Sequence, residues 1–114
     1  MPDSRRELGT RGEQAAAEWY RSAGYEVVAA NWRCRDGEID LVVRRGRLLV
    51  ICEVKTRTTT AFGTPAEAVT RAKQQRLRHL ARRYLTESGV RYRGVRFDVV
   101  AIVGDHLEVI EDAF

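Results

Sequence analysis

The segment Leu48-Leu49-Val50-Ile51-Cys52-Glu53-Val54-Lys55 constrains this chain more than any other. Its apolar residues run on without alternation and become charged only at the end. Such a run has no polar face to offer water, so it is expected to be a strand buried on both sides at the centre of a sheet. With 114 residues there is room for one core. The whole chain, 1–114, is therefore expected to form a single domain, with helices covering the sheet.

The flanking sequence supplies those helices. A hydroxyl residue followed three later by Glu is a capping box, and both Ser4-Arg5-Arg6-Glu7 and Thr10-Arg11-Gly12-Glu13 fit it. The first helix is expected from Ser4 or Thr10 to Ser22, ended by Gly24. Tyr25 to Trp32 and Glu38 to Val43 read as strands, with Arg44 to Arg47 as a tight turn. Thr56 to Gly63 reads as a polar loop. Thr64-Pro65-Ala66-Glu67 combines a hydroxyl cap, Pro at the first helical position and Glu at the third, which predicts a second helix starting near Pro65. Val69, Leu77, Leu80, Ala81, Tyr84 and Leu85 give it an apolar side, and Gly89 closes it. Val95 to Val103 and Leu107 to Ile110 predict a hairpin turning at Gly104-Asp105. The order is helix, three strands, helix, two strands, and one mixed sheet with packed helices accommodates it: an α/β fold.

Several function classes fall away. No apolar run approaches the roughly 18–20 residues that span a bilayer, and Met1 to Gly12 lacks the apolar core of a secretory leader. No Walker-type loop or dinucleotide-binding Gly motif occurs. Cys34 and Cys52 are too few and too separated for a zinc ribbon or a disulfide framework, and read as reduced thiols of a cytoplasmic protein. The net charge of +4 suits an anionic partner such as nucleic acid, though it does not require one.

The chemistry concentrates between Gly37 and Arg57. Side chains alternate along a strand, so Glu38 and Asp40 share a face, as do Glu53 and Lys55. If Arg45-Gly46 is a two-residue loop, Arg44 pairs with Arg47, Asp40 lies opposite Ile51, and Glu38 lies opposite Glu53. Opposed residues of an antiparallel pair point the same way, so all four side chains converge. A four-residue loop keeps this parity, and a three-residue loop breaks it. Converging carboxylates repel unless neutralised. A hard cation such as Mg²⁺ does this with one or two carboxylates, water and a phosphate, and can activate water toward a phosphodiester. An isolated E-x-K more often just solvates a strand end. Here it closes a buried strand beside a second acidic strand.

Gly12-Glu13, Gly37-Glu38-Ile39-Asp40-Leu41, Glu53-Val54-Lys55-Thr56-Arg57 and Arg96-Phe97-Asp98-Val99-Val100, in this order, resemble the YraN-like family of small bacterial proteins. That family belongs to the restriction-endonuclease-like superfamily of PD-(D/E)xK nucleases, with archaeal Holliday-junction resolvases as characterised relatives. The resemblance implies a restriction-endonuclease-like mixed sheet of about five strands flanked by helices. It implies a metal-dependent endonuclease using Mg²⁺ or Mn²⁺ on DNA, more than RNA, with branched or structured DNA as a substrate. Asp40 and Glu53 would be metal-binding acids, the Val54 carbonyl a further ligand, and Lys55 the catalytic lysine. Glu13 would reach the metal from the first helix, in place of a purely capping role beside Thr10. The resolvase relatives are dimers, which makes a homodimer a candidate assembly. Ile39 stands where the superfamily's name motif has Pro.

Other residues carry weaker expectations. Glu38 is placed in support of the site. Lys73 and Gln74, early on the second helix, and Arg57, near Lys55, are candidate nucleic-acid contacts. Arg71, Arg76, Arg78, Arg82 and Arg83 make that helix basic, and a solvated face is their default. Asp98 is expected to be structural, pairing with a helix residue or bordering the site. Trp19, Trp32 and Tyr84 are expected in the core, with Phe62 the better stacking candidate. The competing function is a nucleic-acid-binding module of the same fold that does not cut.

Overall fold

The computed structural model describes residues 11–57 and 69–114. Its elements are α1 (Arg11–Ser22), β1 (Glu26–Cys34), β2 (Gly37–Arg45), β3 (Leu48–Arg57), α2 (Arg71–Ser88), β4 (Gly94–Val103) and β5 (His106–Ile110). The five strands form one sheet in chain order, β1-β2-β3-β4-β5. All neighbours are antiparallel except β3 and β4, which run parallel. A parallel pair needs a long crossover, and α2 lies within that connection. The expected α/β class, element order and five-stranded mixed sheet all hold.

The apolar run of β3 sits where its composition requires. Leu49, Val50, Ile51 and Cys52 are at most 1% exposed. Alternate residues serve different layers. Val50 and Cys52 pack with Ala16, Ala17 and Tyr20 of α1, together with Leu41, Val100 and Ile102. Leu49 and Ile51 pack with Leu77, Leu80, Ala81 and Tyr84 of α2, together with Phe97 and Val99. Cys52 is thus a buried small hydrophobe, and burial raises its thiol pKa. Trp32 meets Tyr84 edge-on at 5.4 Å and packs against the α2 layer, and Trp19 packs against the α1 layer. These aromatics are core, as expected. Phe62 lies outside the described residues.

Two boundaries differ from expectation. The β2–β3 turn is Gly46-Arg47, because Arg45 pairs with Leu48. Gly46, at φ 61, takes the first turn position, so the turn moves by one residue and Arg44 pairs with Leu49 in place of the expected Arg47, a two-residue shift that keeps every side chain on its face. The proposed start at Thr64-Pro65 and most of the Thr-rich loop lie outside the described residues, while Thr56 and Arg57 end β3. The helix carrying Leu77 and Leu80 begins at Arg71, not Pro65. Thr70 is its N-cap, extended at ψ 164, and its hydroxyl accepts the Lys73 N–H. That extended residue bars a continuous helix from Pro65.

Leu77 and Leu80 are 5% and 1% exposed, as a sheet-facing side demands. Leu80→Ala is expected to cost about 2–5 kcal/mol through lost burial and the cavity left behind. Urea melts measure it, and a loss below about 1 kcal/mol would mean that α2 is not packed firmly on the sheet.

Candidate functional site

The β2–β3 ladder runs from Arg45–Leu48 to Leu41–Cys52 and stops. Asp40 is the next residue, and the same register continued sets it across from Glu53. Alternation along β2 is interrupted at this point. Ile39 packs in the α2 layer, whereas Leu41 and Val43 pack in the α1 layer. On β1, Trp32 pairs with Ile39 and Ala30 with Leu41, and Asn31 between them has φ 50. A left-handed residue within a strand re-aims its neighbours, as a bulge does. β2 and β3 part at Asp40, and its Oδ2 accepts the Val54 N–H at 2.9 Å. The carboxylate replaces the backbone partner that β3 loses there.

Convergence of the acids is retained, by a different register. Asp40, not Glu38, falls opposite Glu53. Glu38 sits one step further out, opposite Arg33 on β1, and accepts its Nε–H at 2.7 Å. Glu53 pairs with Lys55 at 3.2 Å, both largely shielded from solvent. Glu13 is 8% exposed on the first turn of α1. The preceding Gly12 brings that turn close to β3, since a Cβ on Gly12 would lie 2.5 Å from Thr56 Oγ1. The expected capping partner of Glu13, Thr10, lies outside the described residues.

These neighbours leave a clear electrostatic mark on Asp40. Burial, then the Glu53 charge, with smaller contributions from Glu13 and Glu38, push its pKa up to about 7, against the Val54 hydrogen bond that lowers it. Lys55 behaves differently. Burial opposes its charge, but contact with Lys73 and attraction to Glu53 and Asp40 raise its pKa overall. Contact with Lys55, followed by burial, lowers that of Lys73.

A cavity of about 250 Å³ opens onto this place. Asp40, Glu53 and Glu38 contribute from the strands, and Lys73 and Arg76 from α2, beside Leu77 and Leu80. Of the other nucleic-acid candidates, Gln74 turns away: its Nε2–H donates to the Val69 carbonyl at 3.1 Å, bracing the helix start. Arg57 sits four residues beyond Glu53, paired with Val103, and does not line the cavity. Arg76 was not singled out by sequence reasoning. The signal was present, because Lys73, Arg76, Leu77 and Leu80 follow i, i+3, i+4, i+7 spacing and so share one stripe.

Asp98 is structural and fully buried. It accepts the Tyr20 hydroxyl at 2.6 Å, Arg96 Nε–H and Nη2–H at 2.8 and 2.9 Å, and the Asp112 N–H at 3.0 Å. The helix partner anticipated for it is Tyr20.

Two carboxylates, one lysine and a basic helix stripe thus meet where two strands of an α/β sheet diverge. The model described as "Uncharacterised protein family UPF0102" matches residues 12–102. The chain is 55% identical to a UPF0102 protein of Beutenbergia cavernae over 96 residues, 84% of this chain and 81% of that one. It is 48% identical over 111 residues to one from Nocardia farcinica, covering 90% and 87%, and 52% identical over 97 residues to one from Symbiobacterium thermophilum, covering 85% and 82%. The chain belongs to the UPF0102, or YraN-like, family. Among the described residues, no helix is long and apolar enough to cross a membrane.

Proposed function

We propose that this chain is a divalent-metal-dependent nuclease hydrolysing phosphodiester bonds in DNA, with branched or structured DNA as its substrate class. The observation that carries this reading is the Asp40 carboxylate, held by the Val54 N–H across from Glu53 at the point where β2 leaves β3. Among the described residues, no group of three or more His, Cys, Asp or Glu converges to hold a metal. A two-carboxylate site still suits Mg²⁺ or Mn²⁺, since Mg²⁺ keeps several waters and needs only one or two carboxylates. The mutual repulsion registered at Asp40 is what a cation relieves. Asp40 and Glu53 would hold it, with the Val54 carbonyl as a further ligand and Glu13 reaching it through water.

A bound cation would supply Lewis-acid polarisation of the phosphate and a more acidic water. The chain supplies the rest. Lys55 places an ammonium beside Glu53, able to stabilise charge developing on the phosphate or to orient the attacking water. Lys73 adds a cation on the facing helix. Glu38, tied to Arg33, adds negative charge near Asp40 from further out.

The Lys55–Glu53 ion pair specifically favours a second reading, because a lysine can neutralise that acid without metal. In that case the chain binds nucleic acid and does not cut. One panel separates the two: linear duplex, single-stranded and four-way-junction DNA with Mg²⁺, Mn²⁺ or chelator. The nuclease reading expects metal-dependent cleavage of at least one substrate and its loss in Asp40→Asn. Binding without cleavage under every condition supports the second reading. Sedimentation of the same samples tests whether the active species is a homodimer.

A further inference from the structure

Among the described residues, Arg76 is the one cavity-lining cation that the proposed reaction leaves unused. It lies one helical turn after Lys73 and lines the same cavity as Asp40 and Glu53. Arg33, Arg44, Arg83 and Arg96 are each committed to a carboxylate. Among the described residues, Arg76 makes no ion pair. Its stem lies against the start of β2, beside Gly37 and Leu80. A Cβ on Gly37 would stand 3.8 Å from Arg76 Cδ and 3.4 Å from Leu80 Cδ1. Gly37 also has φ 146, a conformation that side-chain-bearing residues rarely adopt. Gly37 and Arg76 thus line the cavity side by side, one from the start of β2 and one from α2.

The cavity is divided by charge. Asp40, Glu53 and the Arg33-paired Glu38 contribute from the strands, and Lys73 and Arg76 from the helix. Lys73 and Arg76 lie three residues apart on one face of α2, two neighbouring like charges that an anion would relieve. A phosphate beside the two acids needs a cation between, whereas a phosphate on the helix side does not. One ligand satisfying both sides carries at least two phosphates in series. We propose that Arg76, with Lys73, forms a subsite for a phosphate adjoining the one at the carboxylates, so that the cavity selects a polynucleotide strand over a mononucleotide. The planar guanidinium makes paired contacts to phosphate oxygens, which a lysine cannot reproduce. This inference rests on the nuclease reading only for the identity of the second phosphate. Strand binding itself is measurable without metal.

The test uses fluorescence anisotropy with a labelled oligothymidylate of about 20 nucleotides, in chelator, across a salt series. Arg76→Gln is expected to weaken binding about tenfold and to reduce the slope of log K against log salt by about 0.7, one single-strand phosphate contact. Arg76→Lys should restore the slope but not the full affinity. Arg82→Gln removes the same charge from another side of the helix, away from this cavity, and should weaken binding less than threefold. Thymidine monophosphate should compete poorly with the oligonucleotide. In cleavage assays Arg76→Gln should raise KM with kcat within threefold, and calorimetric Mn²⁺ binding should be retained. An unchanged salt slope in Arg76→Gln, or an equal loss in Arg82→Gln, overturns the subsite. Wild-type protein that binds the strand but never cleaves DNA overturns the nuclease reading and leaves the subsite standing.

Discussion

Asp98→Ala is expected to destabilise the fold by about 3–5 kcal/mol, the cost of breaking a buried ion pair from one side. The substitution leaves the fully buried Tyr20 hydroxyl without its acceptor, and leaves the Arg96 guanidinium, 16% exposed, with the Tyr25 hydroxyl at 3.0 Å and the half-exposed Glu111 at 3.7 Å as its partners. It also releases the Asp112 N–H. Domains of this size have total stabilities of about 5–15 kcal/mol, so a substantial share would go. Asp98→Asn keeps the shape and one acceptor oxygen, and should cost less, about 1–3 kcal/mol. Urea melts of both variants give the comparison. If Asp98→Ala cost under 1 kcal/mol, the network would contribute little and the Tyr20–Asp98 link would not tie α1 to β4.

Asp40→Asn should move stability in the opposite direction. The folded pKa of Asp40, about 7, lies above its ordinary value of 3.8, so the folded state binds that proton more tightly than the unfolded chain. Stability from this group is greatest below about pH 4 and is lost as pH rises toward 7, at no more than ~1.4 kcal/mol per pH unit. At pH 8, in chelator, Asp40→Asn should therefore gain about 1–3 kcal/mol, after allowing for a weaker bond to the Val54 N–H. Its stability should also lose the decline between pH 4 and 7. Glu53→Gln should relieve Asp40 as well, but less, because it frees Lys55 from its 3.2 Å partner. Both variants should weaken Mn²⁺ binding in calorimetry and lower metal-dependent cleavage by at least about a hundredfold. A loss of stability with unchanged metal affinity would make these acids scaffold and remove the physical basis of the nuclease reading.

The parts legible in sequence were those fixed by pattern. The uninterrupted apolar run of β3 declared a central strand, and helix periodicity placed Leu77 and Leu80 on the sheet. Parity alone brought Asp40 and Glu53 to one place, since moving the turn by one residue shifts the pairing by two and keeps each side chain on its face. The register itself depended on which turn position Gly46 occupies, a backbone property that the letters leave open. Nor do the letters announce that Asn31, on the neighbouring strand β1, takes φ 50 beside the point where β2 leaves β3. Asp98 stood out as a charge in an apolar strand, but Tyr20 is 78 residues away and no local pattern joins them. Gln74 shows the converse: its position on the helix suits a ligand contact, yet its amide is consumed at Val69.

The parallel pairing of β3 with β4 has a consequence for how this chain reaches its native state. Neighbours across that seam, from Leu48–Gly94 to Arg57–Val103, are separated by 46 positions in sequence. The β2–β3 and β4–β5 hairpins close over a few residues each. Hairpins form in about 1–10 μs, whereas contacts of large sequence separation carry the loop-closure cost that slows folding. The rate-limiting event should therefore be the docking of β4–β5 onto an already assembled β1–β2–β3 unit. The Tyr20–Asp98 hydrogen bond joins α1, which packs on the sheet, to β4. Substitutions at Asp98 that mainly accelerate unfolding would place that bond after the barrier, as a latch closed once the two pieces have met.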